Sequence, residues 1–183
     1  MNDAKSFSFR KFLAKVAFAG FGLSLLFHLM ACLGVNVTDS FPFVWLLHLG
    51  IFVVFVPMGM STLLESGNAM DKGVRYNWFA SIPRKARLLA GIFFIYAILN
   101  FMLFVALNQG GSPEILNGEY VLYSGGRVSQ RRVIREISKA EYDLMQAEIL
   151  RGFSGGWMIF YLVPALHFGY FRSSDEVKER VFD

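Results

Sequence analysis

Charge and cysteine are both scarce in this 183-residue chain: Asp, Glu, Lys and Arg make up 17% of it, and Cys32 is its single cysteine. One cysteine excludes an intramolecular disulfide and any metal site built from several thiolates. The sequence also lacks a glycine-rich phosphate loop and a His-Glu-x-x-His zinc motif. Because these motifs supply the binding chemistry of many soluble enzymes, we expect a protein that is not an enzyme and that holds no metal.

Long apolar stretches without a charged residue take the place of such motifs. Hydrophobic residues form 55% of the chain, and the mean hydropathy is +0.44. A helix that rises about 1.5 Å per residue needs roughly 20 apolar residues to cross a hydrocarbon core of about 30 Å. We therefore expect an all-α membrane protein, a single four-helix bundle over residues 1–183. The predicted crossings are residues 12–35, 41–64, 88–107 and 153–171.

Basic residues flank these stretches unevenly, and this asymmetry predicts the orientation of the chain. They occur near the start of the chain, as at Arg10 and Lys15, are absent from the first loop, and return between Lys72 and Arg87. Short cytoplasmic loops are enriched in Lys and Arg, so both termini are predicted to be cytoplasmic. We attribute the net charge of +4 to these flanking basic residues, which orient the helices in the membrane. We therefore expect no nucleic-acid partner. The expected partners are the lipid bilayer and another membrane protein or a second copy of the chain.

Residues 108–152 carry the signals of a water-exposed module between the third and fourth crossings. A strand-like run precedes Gly125 and Gly126, which suit a tight turn, and a weakly alternating run follows them. Ser138 and Glu141 match a capping box, which opens a helix. The sequence therefore predicts an extracytoplasmic β-hairpin followed by a helix. The glycines expected to form a flexible or kinked joint between this helix and the last crossing are Gly152, Gly155 and Gly156.

Three histidines and one asparagine form a candidate polar site inside the apolar stretches. His28, His48 and His167 all fall within predicted crossings, and Asn100 lies in the third. Ionisable groups are costly in hydrocarbon, so they often mark functional sites in membrane proteins. Hydrogen bonding between helices is the favoured role of these side chains, and a proton or metal role is the alternative.

His28 and His48 also allow a cofactor to be considered. At 1.5 Å per residue, counted from Lys15 and Pro42, their rings lie at nearly the same depth in the bilayer. Two imidazoles at one depth on facing helices can ligate haem b, which would make the protein an electron carrier. Polar residues in several crossings leave a second alternative open, a small transporter or an oligomeric pore.

Several segments of the chain resemble a group of small bacterial membrane proteins to which no activity is assigned. The most specific of them is the Arg-Gly-Phe-Ser stretch that begins at Arg151. This resemblance implies four crossings of the bacterial inner membrane and supplies no catalytic or ligand-binding residues. A non-catalytic accessory or interaction protein of unknown pathway is therefore expected. The segments that carry the resemblance are 46–57, 96–101, 120–122, 135–142 and 151–157.

Overall fold

Helices account for most of the computed structural model, which describes residues 3–71, 82–107, 110–124 and 132–170. Four of the helices are long and apolar enough to cross a membrane. Two short elements, a helix and a 3-10 helix (Pro42–Trp45), connect the first long helix to the second. In chain order the α-helices are α1 (Asp3–Cys32), α2 (Val37–Ser40), α3 (Leu46–Asp71), α4 (Arg84–Leu107) and α5 (Lys139–Tyr170).

Each predicted crossing overlaps one long helical segment of the structure. The first helix ends at Cys32, so residues 33–35 of the first predicted crossing lie outside it. The second begins as the 3-10 helix, with Pro42 at its first position, where a missing N–H breaks no helical hydrogen bond. Residues 153–170 of the fourth lie in the C-terminal part of α5, a helix that already starts at Lys139. This helix continues through Gly152, Gly155 and Gly156, so these glycines do not break it, and a flexible or kinked joint there stays a prediction.

The end of α1 is fixed by a glycine in the left-handed region. Gly34 has φ +76°, and its N–H donates to the carbonyl of Ala31 at 3.0 Å. The N–H of Val35 donates to the carbonyl of Met30 at 3.1 Å. This pair of bonds is a Schellman motif, which satisfies the last helical carbonyls and turns the chain out of the helix.

A three-stranded antiparallel sheet replaces the predicted hairpin. Its strands are β1 (Ser112–Leu116), β2 (Glu119–Tyr123) and β3 (Val133–Glu136), and β2 lies in the middle. Sequence reasoning identified the β2–β3 pair but missed β1. Asn117 and Gly118 join β1 to β2 with φ values of 52° and 91°, as a two-residue hairpin turn requires. The predicted turn at Gly125 and Gly126 lies outside the described residues, as does the chain beyond residue 170.

The start of α5 is capped as predicted, although its two cap residues act separately. The Ser138 hydroxyl accepts a hydrogen bond from the N–H of Glu141 at 3.2 Å. The Glu141 carboxylate does not reach back to Ser138, since it forms an ion pair with Arg135 of β3. Beside this carboxylate the pKa of the Arg135 guanidinium is raised above its ordinary value. The pair therefore ties the last strand to the first turn of α5.

Residue contacts divide the chain into two compact units, and the single membrane domain stays a prediction. The first unit comprises the described parts of 1–22, 47–94 and 157–183, and the second comprises those of 23–46 and 95–156. In the first, two apolar clusters form around α5 residues Leu162, Leu166 and Phe168. In the second, the sheet packs on the first turns of α5 through Leu122 and Tyr142.

Candidate functional site

His28 lies at the centre of a polar cluster in the second unit. Its side chain is 2% exposed, and both ring nitrogens are engaged. Nδ1 lies 2.9 Å from the Ser154 hydroxyl of α5, and Nε2 lies 2.5 Å from the Tyr96 hydroxyl of α4. One helical turn beyond His28, the Cys32 Sγ is 3.6 Å from Nε2. We call His28, Cys32, Tyr96 and Ser154 the His28 cluster, and it ties three helices together.

The hydrogen-bond pattern favours one tautomer of His28. The Ser154 hydroxyl donates to the Arg151 carbonyl at 3.3 Å. Because a hydroxyl carries a single hydrogen, Ser154 then accepts from the Nδ1–H of His28. Nε2 is left as the acceptor, and the Tyr96 hydroxyl donates to it. The polar hydrogens of His28, Tyr96 and Ser154 thus each have an acceptor, as expected for buried polar groups.

Asn100 binds a helix backbone and not a histidine. Its side chain is 7% exposed, and Nδ2 donates to the carbonyls of Arg151 and Gly152 at 3.0 and 3.3 Å. A Cβ atom at Gly155 would lie 2.5 Å from the same Nδ2, so only glycine leaves room for the amide. The glycine-rich stretch of α5 therefore permits close approach to α4.

A pocket of about 310 Å³ lies beside the His28 cluster, where α1 ends. Arg151 and Glu148, three residues apart on α5, contribute opposite charges to its wall. Cys32 also lines this cavity and is exposed to solvent. We call this cavity the Arg151 pocket. Its lining residues are Ala31, Cys32, Leu33, Gly34, Leu144, Ala147, Glu148 and Arg151.

The other two histidines belong to the first unit, and each bonds to a second helix of that unit. His48 of α3 is exposed, and its Nδ1 accepts a hydrogen bond from the Trp157 indole of α5 at 2.9 Å. His167 of α5 is 1% exposed, and its Nε2 lies 2.9 Å from the Ser61 hydroxyl of α3. His28 thus falls in one unit and His48 in the other, and joint haem ligation stays a prediction.

Tyr161 fills a slot made by two glycines of the first unit. Its ring lies where a Cβ at Gly20 of α1 would be, and its hydroxyl lies where a Cβ at Gly50 of α3 would be. The same hydroxyl donates to the Leu47 carbonyl at 2.7 Å. The side chain is 3% exposed. Small residues that let a large neighbour approach are a common device of membrane helix packing.

Sequence reasoning missed several partners of the polar residues, and one of them had a visible signal. Gly152, Ser154 and Gly156 have the Gly-x-Ser-x-Gly spacing of hydrolase nucleophiles. In hydrolases that serine stands on a tight turn between a strand and a helix. Ser154 instead lies within α5 and is fully buried. The other missed partners, which had no comparable motif, are Ser61, Tyr96 and Trp157.

No family model, curated protein or solved structure shows significant similarity to the chain. Its functional interpretation therefore depends on the geometry. Among the residues that the structure describes, no three His, Cys, Asp or Glu side chains are placed to hold one metal ion. The four polar residues singled out from the sequence all hydrogen-bond to a neighbouring helix, and this arrangement chiefly holds helices together.

Proposed function

We propose that the protein is a non-catalytic, four-span protein of the bacterial inner membrane that acts as an accessory or interaction partner of another membrane protein. In this proposal both termini are cytoplasmic and the sheet module is extracytoplasmic. The resemblance to small bacterial membrane proteins without an assigned activity belongs to the same proposal. Its chemical basis is the use of the intramembrane polar groups as ties between helices.

The observation that carries this proposal is the state of the His28 ring. Both of its nitrogens have hydrogen-bond partners on other helices, at 2.9 and 2.5 Å. A proton carrier needs a nitrogen that exchanges with water, and a haem ligand needs a nitrogen directed at iron. His28 would have to break one of these two hydrogen bonds for either role, which costs about 1–3 kcal/mol.

Exposed apolar side chains on the sheet module support contact with a protein partner. Ile115 of β1 is 57% exposed and Ile134 of β3 is 52% exposed. Water-exposed apolar side chains of this size are frequent at protein interfaces. A photoreactive amino acid at either position should give one discrete cross-linked product in cells, whereas the same residue at Glu119 should give less. The interaction proposal fails if no position of the module yields a discrete product.

The non-catalytic part of the proposal is tested on Ser154, the residue with a hydrolase-like spacing. A fluorophosphonate probe, which labels activated serines, should leave the purified protein unmodified. Labelling at Ser154 that disappears in His28→Gln would instead identify a serine nucleophile with a histidine base. An unfolded variant is excluded by requiring that His28→Gln elute as one symmetric peak in detergent.

The haem and transport alternatives have their own measurements. Protein purified from haem-supplemented cells should be colourless, and a Soret band lost in His28→Ala and His48→Ala would support the electron carrier. Proteoliposomes should show no ion or solute flux above that of empty vesicles. Flux that falls in Asn100→Ala or His167→Ala would favour a transporter or pore over an accessory role.

A further inference from the structure

Arg151 of α5 is a partly buried cation that the proposed accessory role does not use. Its Nε is shut off from solvent and has no hydrogen-bond partner among the residues the structure describes. The ion pairs found in this part of the chain involve Arg135 and Lys139, and Arg151 belongs to none of them. A buried guanidinium N–H without an acceptor is unfavourable, so an anionic acceptor bound beside it would stabilise the site.

The Arg151 pocket has the size and shape to admit such an anion. Its volume of about 310 Å³ is at the lower end of the range for small-molecule sites, which matches a short polar molecule or one lipid head group. The cavity opens where α1 ends at Cys32. This is the end of an apolar helix, where the polar layer of a bilayer begins.

Glu148 narrows the chemistry of the occupant. It lines the same pocket as Arg151 and lies one helical turn before it on α5. A simple anion would meet the Glu148 carboxylate as well as the guanidinium, and like charges repel. A ligand with an acidic group for Arg151 and an ammonium group for Glu148 satisfies both residues. Apolar walls from Leu33 and Leu144 suit the short carbon linker between these groups.

We propose that the Arg151 pocket binds a zwitterionic phosphoethanolamine group. Arg151 donates charge-assisted hydrogen bonds to the phosphate, and Glu148 accepts from the primary ammonium. The group can come from the head of a phosphatidylethanolamine lipid or from a soluble phosphoethanolamine. Phosphocholine carries the same charges, but its quaternary nitrogen has no N–H to donate, so it should bind more weakly.

Cys32 provides a built-in reporter of occupancy, because it lines the pocket and is the single cysteine of the chain. The protein is reconstituted in phosphatidylcholine nanodiscs with and without phosphatidylethanolamine, and the rate of maleimide labelling is measured. Soluble phosphoethanolamine added to phosphatidylcholine nanodiscs forms the second arm. If the bound group comes from the lipid, only phosphatidylethanolamine should slow maleimide labelling of Cys32. If it comes from solution, added phosphoethanolamine should slow labelling.

Two pairs of variants locate the effect. Arg151→Gln should weaken the protection of Cys32 against maleimide about tenfold or more, because charge-assisted hydrogen bonds to the phosphate are lost. Arg135→Gln should leave this protection unchanged. Glu148→Gln should remove the preference for ethanolamine over choline, whereas Glu141→Gln should keep it. Arg135 and Glu141 are matched controls, since they form an ion pair with each other and do not line the pocket.

A measurement on the unmodified protein keeps the proposal testable if a variant does not fold. Native mass spectrometry after extraction from mixed bilayers should show one phosphatidylethanolamine retained in preference to phosphatidylcholine, or one phosphoethanolamine retained from solution. Equal labelling rates under all conditions, or equal protection in Arg151→Gln, would overturn the proposal. These outcomes do not depend on the cross-linking that tests the accessory role.

Discussion

At the scale of single residues, the glycines around Tyr161 give the sharpest stability prediction. Gly20→Ala places a methyl group against the Tyr161 ring, whereas Gly22 on the same helix has no neighbouring atom within 4 Å of its would-be Cβ. Overpacking should destabilise Gly20→Ala by about 1–3 kcal/mol, and Gly22→Ala should stay within about 0.5 kcal/mol of the parent. Unfolding in mixed micelles by added dodecyl sulfate measures both. Equal stability of the two variants would contradict a tight slot.

The His28 cluster makes a second residue-scale prediction. Tyr96→Phe keeps the ring but removes the hydroxyl at His28 Nε2. Leaving a buried acceptor without its donor should cost about 1–3 kcal/mol in the same unfolding assay. Tyr170→Phe is the matched control, because Tyr170 at the end of α5 is exposed to the same degree as Tyr96, 39% against 41%, and its hydroxyl is not a partner of His28. If both substitutions had the same small effect, the cluster would not be a tie between helices.

At the scale of elements, the β1–β2 turn depends on Gly118. With φ +91°, an alanine there is strained by about 1–2 kcal/mol. Gly118→Ala should therefore speed amide hydrogen exchange in β1 and β2, whereas Gly110→Ala, which meets no neighbouring atom, should not. Exchange in α5 beyond the sheet should be the same in both variants, since the strain is local. Unchanged exchange in the strands would argue against this turn geometry.

The long helices differ in how much of each one is buried. In its most apolar window, α5 is 67% buried and α4 is 11% buried. Leu150 of α5 is fully buried, and Leu99 of α4 is 60% exposed. Leu150→Ala should cost about 2–5 kcal/mol because it opens a cavity. Leu99→Ala opens no cavity inside the protein, because this side chain faces lipid. It should change the free energy of unfolding much less, as measured by the same unfolding in mixed micelles.

At the scale of the whole molecule, the number of crossings fixes where each loop lies. In the proposed topology, four crossings place the sheet module and the C-terminus on opposite sides of the membrane. Reporter fusions that are active only in the periplasm should therefore be active after Ser124 and silent after Asp183. A periplasmic signal from both positions would remove a crossing, and with it the proposed cytoplasmic location of both termini.

Much of the helical framework was predictable, because lipid leaves a spanning segment few choices. Without water to bind backbone groups, an apolar run of sufficient length must be helical. Absence of charge therefore located the long helices. The strand β1 was predictable in principle from Asn117 and Gly118, the strongest short hairpin signal. Gly125 and Gly126 give a competing turn signal nearby in the sequence, and they lie outside the described residues.

The sequence by itself determined that the polar residues of the apolar stretches need partners, because an unpaired polar group in hydrocarbon is costly. Only the tertiary structure decided which partners they have. Ser154 and Tyr96 bind His28 across long stretches of chain, and helix periodicity carries no information about contacts between helices. The same holds for Arg151 and Cys32, which line one pocket because α1 and α5 pack side by side there.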